Sequence, residues 1–278
     1  MVLKGNLCWN GDLEAGTTEG WSNEYWDFLK PTLSVEAGAG VDGSNALKAE
    51  AGTDTGWYGF WYKEDFPFED REVYRVEVKL KKGNISPYSL ICFKDAYKRI
   101  LGHLLFGVGW SGGWDRQVAF VGSLFGAEYF SVGFLFYGGS GYYVYVDELS
   151  VVGLRNERTW GWMDTYEQTY SGEGYTVWEC GVAVFFKHSY QWIFDVRELT
   201  GTSPSLTLKL QQDVMMDKHD IGDKFLDVLE EVSGITSTGR SQKVNSTTKY
   251  GYYNIRMETS GSDTSAKVKH VLKLIPFI

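Results

Sequence analysis

The chain has 278 residues, room for two domains with separate cores or for one large barrel. Its hydrophobic fraction of 43% excludes a disordered chain, and 33 glycines with 11 tryptophans, 18 tyrosines and 16 phenylalanines favour strands and tight turns. A formal charge of -9 disfavours nucleic acid as a partner, and the one dense basic run, Lys79, Lys81 and Lys82, reads as a solvated turn where a strand ends at Gly83-Asn84.

From Met1 to Leu7 there is no apolar run with a small-residue cleavage site, and no later stretch approaches the length of a membrane span. The expectation is a chain that is not inserted in a membrane and that stays in the cytosol or leaves by lysis or assembly; a mature chain whose leader had been removed reads the same. Cys8, Cys92 and Cys180 lack the spacing of a zinc or redox motif and read as buried free thiols, with a Cys8–Cys92 bridge left open for an oxidising compartment.

Five aromatic residues crowd one short stretch: Trp57, Tyr58, Phe60, Trp61 and Tyr62. In a strand Trp57, Gly59 and Trp61 share one face and Tyr58, Phe60 and Tyr62 the other, so half of the cluster is assigned to a core. The carboxylates that follow, Asp65, Glu69, Asp70 and Glu72, read as a solvated turn rather than as the acid and base of a glycosidase.

Tyr74 to Leu80 is apolar at every second position, the period of a strand with one wet face. Further strands are expected at Leu90 to Phe93, Ile100 to Phe106, Gln117 to Val121, Tyr129 to Phe136 and Tyr142 to Val152, separated by glycine-rich or polar breaks. Short strands at this spacing predict a sandwich. Trp110 and Trp114 flank Ser111-Gly112-Gly113, which reads as a flexible loop and makes them candidates for an exposed aromatic platform. Gly107-Val108-Gly109 precedes no helix and is not read as a phosphate loop.

The character of the sequence changes after Leu154 to Arg158, which sets the expected domains at 1–153 and 160–278. Strands are then expected at Tyr175 to Phe186, Trp192 to Leu199, Leu206 to Leu210, Tyr250 to Met257 and Lys267 to Leu274, with Gly201 and Pro204 breaking two of them. Lys224 to Glu231 fits either two turns of amphipathic helix or a strand entering a loop. Among the isolated histidines only His219 has close acidic neighbours, Asp217 and Asp220, a weak metal pattern.

Two resemblances join these patterns. Asn10-Gly11-Asp12-Leu13-Glu14, Gly16 and Gly20-Trp21, then Ala46-Leu47-Lys48, Tyr74 and Val144 to Ser150, occur in an order that resembles carbohydrate-binding modules of the family 4 and 9 type, over about residues 6 to 153. That resemblance implies a galactose-binding-like jelly roll and a structural calcium held by Glu14 and Asp147 with backbone oxygen near Asp12, hard oxygen ligands of the kind calcium takes. It also implies a glycan face, for which Trp110, Trp114, Trp57 and Trp61 are the candidates. Asp195 to Gln211, Ile235 to Gly239 and Tyr250 to Ser262 resemble, less specifically, small β-sandwich domains of tailed-phage structural proteins.

The expected architecture is therefore all-β: an N-terminal jelly roll followed by a small C-terminal β-sandwich. The leading expectation for function is a non-enzymatic virion subunit, capsid-decorating or tail-associated, partnered by other virion proteins and by copies of itself. The alternative is an extracellular carbohydrate-binding module of a glycan-degrading or cell-surface protein, whose partner is a cell-surface glycan.

Overall fold

The computed structural model describes residues 6–24, 27–68, 73–109, 112–124, 126–154, 161–214, 225–248 and 251–276. These fall into two compact units, 6–154 and 161–276. Both are all-β.

The first unit contains β1 (Trp21–Ser22), β2 (Thr32–Glu36), β3 (Ala46–Glu50), β4 (Gly56–Tyr62), β5 (Phe66–Pro67), β6 (Tyr74–Lys82), β7 (Tyr88–Lys94), β8 (Ile100–Val108), β9 (Trp114–Val121), β10 (Tyr129–Gly138) and β11 (Tyr143–Gly153). One sheet runs β1-β4-β10-β7-β8, with β5 also paired to β10; the facing sheet runs β9-β6-β11-β3-β2, and every named ladder is antiparallel. Neighbours distant in sequence lie side by side, as in a jelly roll.

Alternation decides what fills the space between the sheets. Tyr58 stacks on Phe136 and Phe60 on Phe134, with ring centres 5.4 and 5.2 Å apart. Tyr74 of the facing sheet meets Phe130 at 5.0 Å, and Val76, Val78 and Leu80 follow it inward. Aromatic pairs of this kind add to the stabilisation from the area they bury. Cys8, Cys92 and Cys180 are buried, and none forms a disulfide among the described residues.

The second unit is built on two very long strands. Its elements are β12 (Trp162–Ser171), β13 (Gly174–Val184), β14 (His188–Val214), β15 (Phe225–Ile235), β16 (Gly239–Thr247) and β17 (Gly251–Pro276). The first half of β14 pairs with β16 and with the second half of β17, which also holds β12; the second half of β14 pairs with β15 and with the first half of β17, which also holds β13. Two four-stranded layers result, joined where β14 and β17 bend.

Trp178 of one layer stacks against His270 of the other, and Gln168 Nε2 donates across the gap to the Ile255 carbonyl at 3.0 Å. Trp192, Phe194, Leu206, Leu208, Leu210, Tyr253, Ile255, Met257, Val268 and Leu272 fill the interior between them.

Gly201 and Pro204 do not break two strands. The chain passes through them as a bend of one strand, with register shifts between Thr200 and Thr202 and between Thr202 and Ser205. Gly201 and Gly261, facing each other at this bend, hold φ of 130° and 103°, a region open to glycine. Lys224 to Glu231 is likewise settled as strand from Phe225 onward, because Glu230 and Glu231 lie in register with Leu210 and Lys209 of β14. Among the described residues no helix is long and apolar enough to cross a membrane.

Candidate functional site

The β4 strand divides its aromatic residues as alternation requires: Tyr58, Phe60 and Tyr62 are buried in the core, while Trp57 and Trp61 turn to the outer face and are half-buried. Gly59 lies between them. Across the ladder Trp57, Gly59 and Trp61 face Tyr137, Leu135 and Gly133 of β10, and the next strand presents Tyr88 beside Leu135, Leu90 beside Gly133 and Cys92 beside Ser131.

This face has a floor and two ends. Leu135, Ser131, Leu90 and Cys92 are fully buried, so the floor is withdrawn from water even though it points away from the core. At one end Trp57 packs edge-on against Tyr88 and Tyr137 at 5.7 and 5.5 Å, and Tyr137 is 48% exposed. At the other, Lys94 Nζ sits 4.1 Å from the ring centre of Trp61 and 2.6 Å from Asp65 Oδ1. Asp65 also receives Lys98 Nζ at 3.4 Å. Two half-buried tryptophans with glycine between them stand beside a buried ammonium–carboxylate pair, so what the face offers is ring surface, against which the C–H face of a pyranose packs.

Asp65 is thus not part of a solvated turn, since its side chain is only 8% exposed and carries a buried ion pair. Glu69, Asp70 and Glu72 lie outside the described residues, as do Trp110 and the Asp217, His219 and Asp220 trio.

Trp114 stands on no loop. It is the first residue of β9, opposite Lys81 in the ladder with β6, and therefore belongs to the facing sheet rather than to the one that carries Trp57 and Trp61. There it forms part of a cross-strand stripe: Lys81 Nζ lies 5.6 Å from the Trp114 ring and 5.4 Å from that of Tyr145, and Lys48 Nζ lies 4.8 Å from that of Tyr143. Lys79 and Lys81 are strand residues, not a turn.

The residues expected to hold calcium gather around the loop of residues 40–45. Asp147 is fully buried, and burial raises its carboxyl above the usual range although the Val41 and Glu148 backbone N–H groups and the Ser44 hydroxyl donate to it at 2.9, 2.7 and 3.1 Å. Exposed Glu14 accepts from the Asn45 N–H at 3.0 Å, and Asp12 Oδ1 from the Glu14 N–H at 3.3 Å. The ends of the unit meet here, with Leu149 N donating to the Gly11 carbonyl at 2.9 Å.

Among the described residues no group of three or more His, Cys, Asp and Glu can hold a metal. A calcium ion would draw on Asp147, Glu14 and neutral oxygens of the loop. Asp147 would bring such an ion a buried carboxylate whose donors named above are all neutral.

No family model matches the chain, and no curated protein matches it. Among solved structures it is similar to the N-terminal tandem of two family 22 carbohydrate-binding modules from Paenibacillus barcinonensis Xyn10C, at 10% identity over 99% of both chains with a TM-score of 0.41. It is similar to a family 16 carbohydrate-binding module at 21% identity, over 53% of this chain and 99% of that one, with a TM-score of 0.33. It is also similar to the enzymatically active domain of tailspike protein 4 of bacteriophage CBA120, at 12% identity over 54% of this chain and 21% of that one, with a TM-score of 0.42.

The sequence reading had Trp57 and Trp61 but missed Lys94, Tyr88 and Tyr137, which complete the same face. The signal for Tyr137 lay in the strand Tyr129 to Phe136, whose alternation puts Phe130, Val132, Phe134 and Phe136 inward and so turns Tyr137 outward.

Proposed function

We propose that the chain is a non-enzymatic glycan-binding protein whose first unit receives a saccharide on the outer face of the β1-β4-β10-β7-β8 sheet. The observation that carries this reading is the pair Trp57 and Trp61 on one face of β4, separated by Gly59 and bordered by Gly133, Tyr137 and the Lys94–Asp65 pair. Gly59 between the rings and Gly133 opposite Trp61 set no side chain beside them, which leaves ring surface for the C–H face of a sugar. Calcium belongs to this reading as a structural ion, held by Asp147 and Glu14 at the joined ends of the unit and supplying no chemistry to the bound sugar. An extracellular or particle-surface location follows from the ligand class.

The test is a glycan array probed with the whole chain, followed by titration calorimetry on the strongest hit. Trp57→Ala and Trp61→Ala are each expected to weaken binding about tenfold, roughly 1.4 kcal/mol. Binding that neither substitution alters, or an array without a reproducible hit, refutes the reading.

A second reading, a subunit of a virion or another regular assembly, is favoured by β16. All nine of its residues are exposed or half-buried, and it pairs with β14 over its full length without a bulge. A long regular edge of this kind is open to pairing with another copy. Sedimentation that gives a concentration-independent monomer removes this reading.

A further inference from the structure

A small cavity in the second unit has the composition of a ligand site that is separate from the aromatic face of the first. It measures about 320 Å³ and is lined by Glu173, Tyr175, Thr207, Arg256, Glu258 and Ser260, together with Gly174 and Thr259. The size matches the lower end of small-ligand pockets and suits one or two sugar rings.

The cavity is framed by elements that are fixed to one another. Tyr175, Glu258 and Thr207 lie in one cross-strand row of β13, β17 and β14. The turn between β12 and β13 is pinned to β17, because Thr259 Oγ1 donates to the Gly172 carbonyl at 2.7 Å and Gly172 N donates to the Thr264 carbonyl at 2.8 Å. A ligand here would meet preformed walls, which lowers the ordering cost of binding.

The charged groups decide the class of ligand. Arg256 lies 3.8 Å from the ring centre of Tyr175, covering one side of a ring that is still 55% exposed. Its Nε is 2.6 Å from Glu258 Oε1 but off the N–H axis, so among the described residues this buried N–H has no aligned acceptor. Lys209 Nζ approaches the same Glu258 oxygen at 3.2 Å, so Oε1 of that carboxylate is shared by the two cations. Arg256 and Lys209 face Glu258, Glu173 and Glu231, the last 3.9 Å from Lys209 Nζ, so the field gives an anion no advantage and the two cations are already engaged by carboxylates. What is offered is an aromatic face, a planar donor, a carboxylate and the hydroxyls of Thr207 and Ser260. These are partners for a neutral ring that carries vicinal hydroxyls.

We infer that the second unit holds its own saccharide site, taking a neutral mono- or disaccharide between Tyr175 and the Arg256–Glu258 pair. This inference does not depend on the glycan face proposed for the first unit.

Saturation-transfer NMR on the whole chain tests it, with a panel of glucose, galactose, xylose, N-acetylglucosamine and their disaccharides at millimolar concentration. At least one neutral sugar is expected to give a transfer signal that persists in Trp57→Ala/Trp61→Ala, falls at least tenfold in Tyr175→Ala and Arg256→Met, and is retained in Tyr175→Phe. Tyr175→Phe keeps the ring and guards against a loss caused by misfolding. The inference is overturned by the absence of signal across the panel, by a signal lost only in the double tryptophan variant, or by binding confined to a charged competitor such as glucuronate or glucosamine.

Discussion

Lys94 Nζ and Asp65 Oδ1 lie 2.6 Å apart with both side chains below a tenth exposed, at the end of the face that carries Trp61. Removing one partner of a buried pair strands the other charge, at a cost of about 3–5 kcal/mol, whereas apolar replacement of both is often close to neutral. Lys94→Met is therefore expected to lower stability by about 3 kcal/mol, moderated by Lys98 at 3.4 Å from Asp65 Oδ2, and Lys94→Met/Asp65→Leu by much less. Urea denaturation of the two single variants and the double variant gives the coupling directly; additive losses would mean that the pair is not acting as a unit.

A second expectation concerns acid. His188 Nδ1 donates to the Phe186 carbonyl at 2.8 Å, which leaves Nε2 to accept from the Tyr253 hydroxyl, and burial lowers the imidazole to about 4. His270 lies between the Trp178 and Trp192 rings, accepts from Trp192 Nε1 at 3.4 Å, and is lowered by burial to about 3. Both are held neutral in the fold while the unfolded chain protonates near 6.5, so the unfolded state binds more protons below that pH. The stability they contribute is complete above pH 6.5 and is lost as pH falls towards 4 and 3, on the order of 3 kcal/mol for His188 alone. Asp147, raised by burial, works in the opposite direction. Chemical denaturation at pH 7, 5.5 and 4 should show the second unit failing first, and His270→Phe should flatten its pH dependence; an unchanged midpoint from pH 7 to pH 4 would sink this account.

How far the sequence could be read depended on what each residue faces. Period two in Tyr74 to Leu80 and in Val268 to Leu274 revealed core strands, because one side of each is buried. Both β12 and β16 escaped notice, since Trp162 and Gln168 are the only buried residues of the first and the second has none. Such strands are held by backbone ladders rather than by side-chain burial, and a hydrophobic pattern does not register them. Trp114 was misplaced because glycines beside it suggested a loop, while its pairing with Lys81 is a long-range contact invisible to local composition. Asp65 failed in the same way, its partner Lys94 lying on another strand.

Calcium gives a third test. Asp147 is a buried carboxylate held by neutral donors, and Glu14 reaches the same loop through Asn45. An ion bound only by the folded state adds about 2.7 kcal/mol at a hundredfold excess over its dissociation constant. Millimolar calcium is expected to raise the unfolding temperature of the wild-type chain by several degrees, Asp147→Asn to abolish the rise and Glu14→Gln to reduce it. A wild-type melting curve that is the same in calcium and in chelator removes the ion from the reading.

The bend that joins the two layers of the second unit supplies the last prediction. Gly261 has a φ of 103°, and a Cβ there would stand 2.6 Å from the Ser203 carbonyl oxygen and 3.0 Å from that of Thr202. Those atoms belong to the opposing bend of β14, which is tied to β17 through register contacts on both sides of the corner and cannot withdraw without disturbing both layers. Gly261→Ala thus combines a strained backbone with a close backbone contact, and a loss of about 2–3 kcal/mol is expected. Gly172→Ala is the control: its φ of 102° is just as unfavourable, but nothing lies within 4 Å of the added carbon, so the cost should be the backbone strain alone. Thermal melts of the two variants separate the terms. If Gly172→Ala proves as damaging as Gly261→Ala, the corner is looser than its contacts imply, and strain rather than crowding is what glycine relieves there.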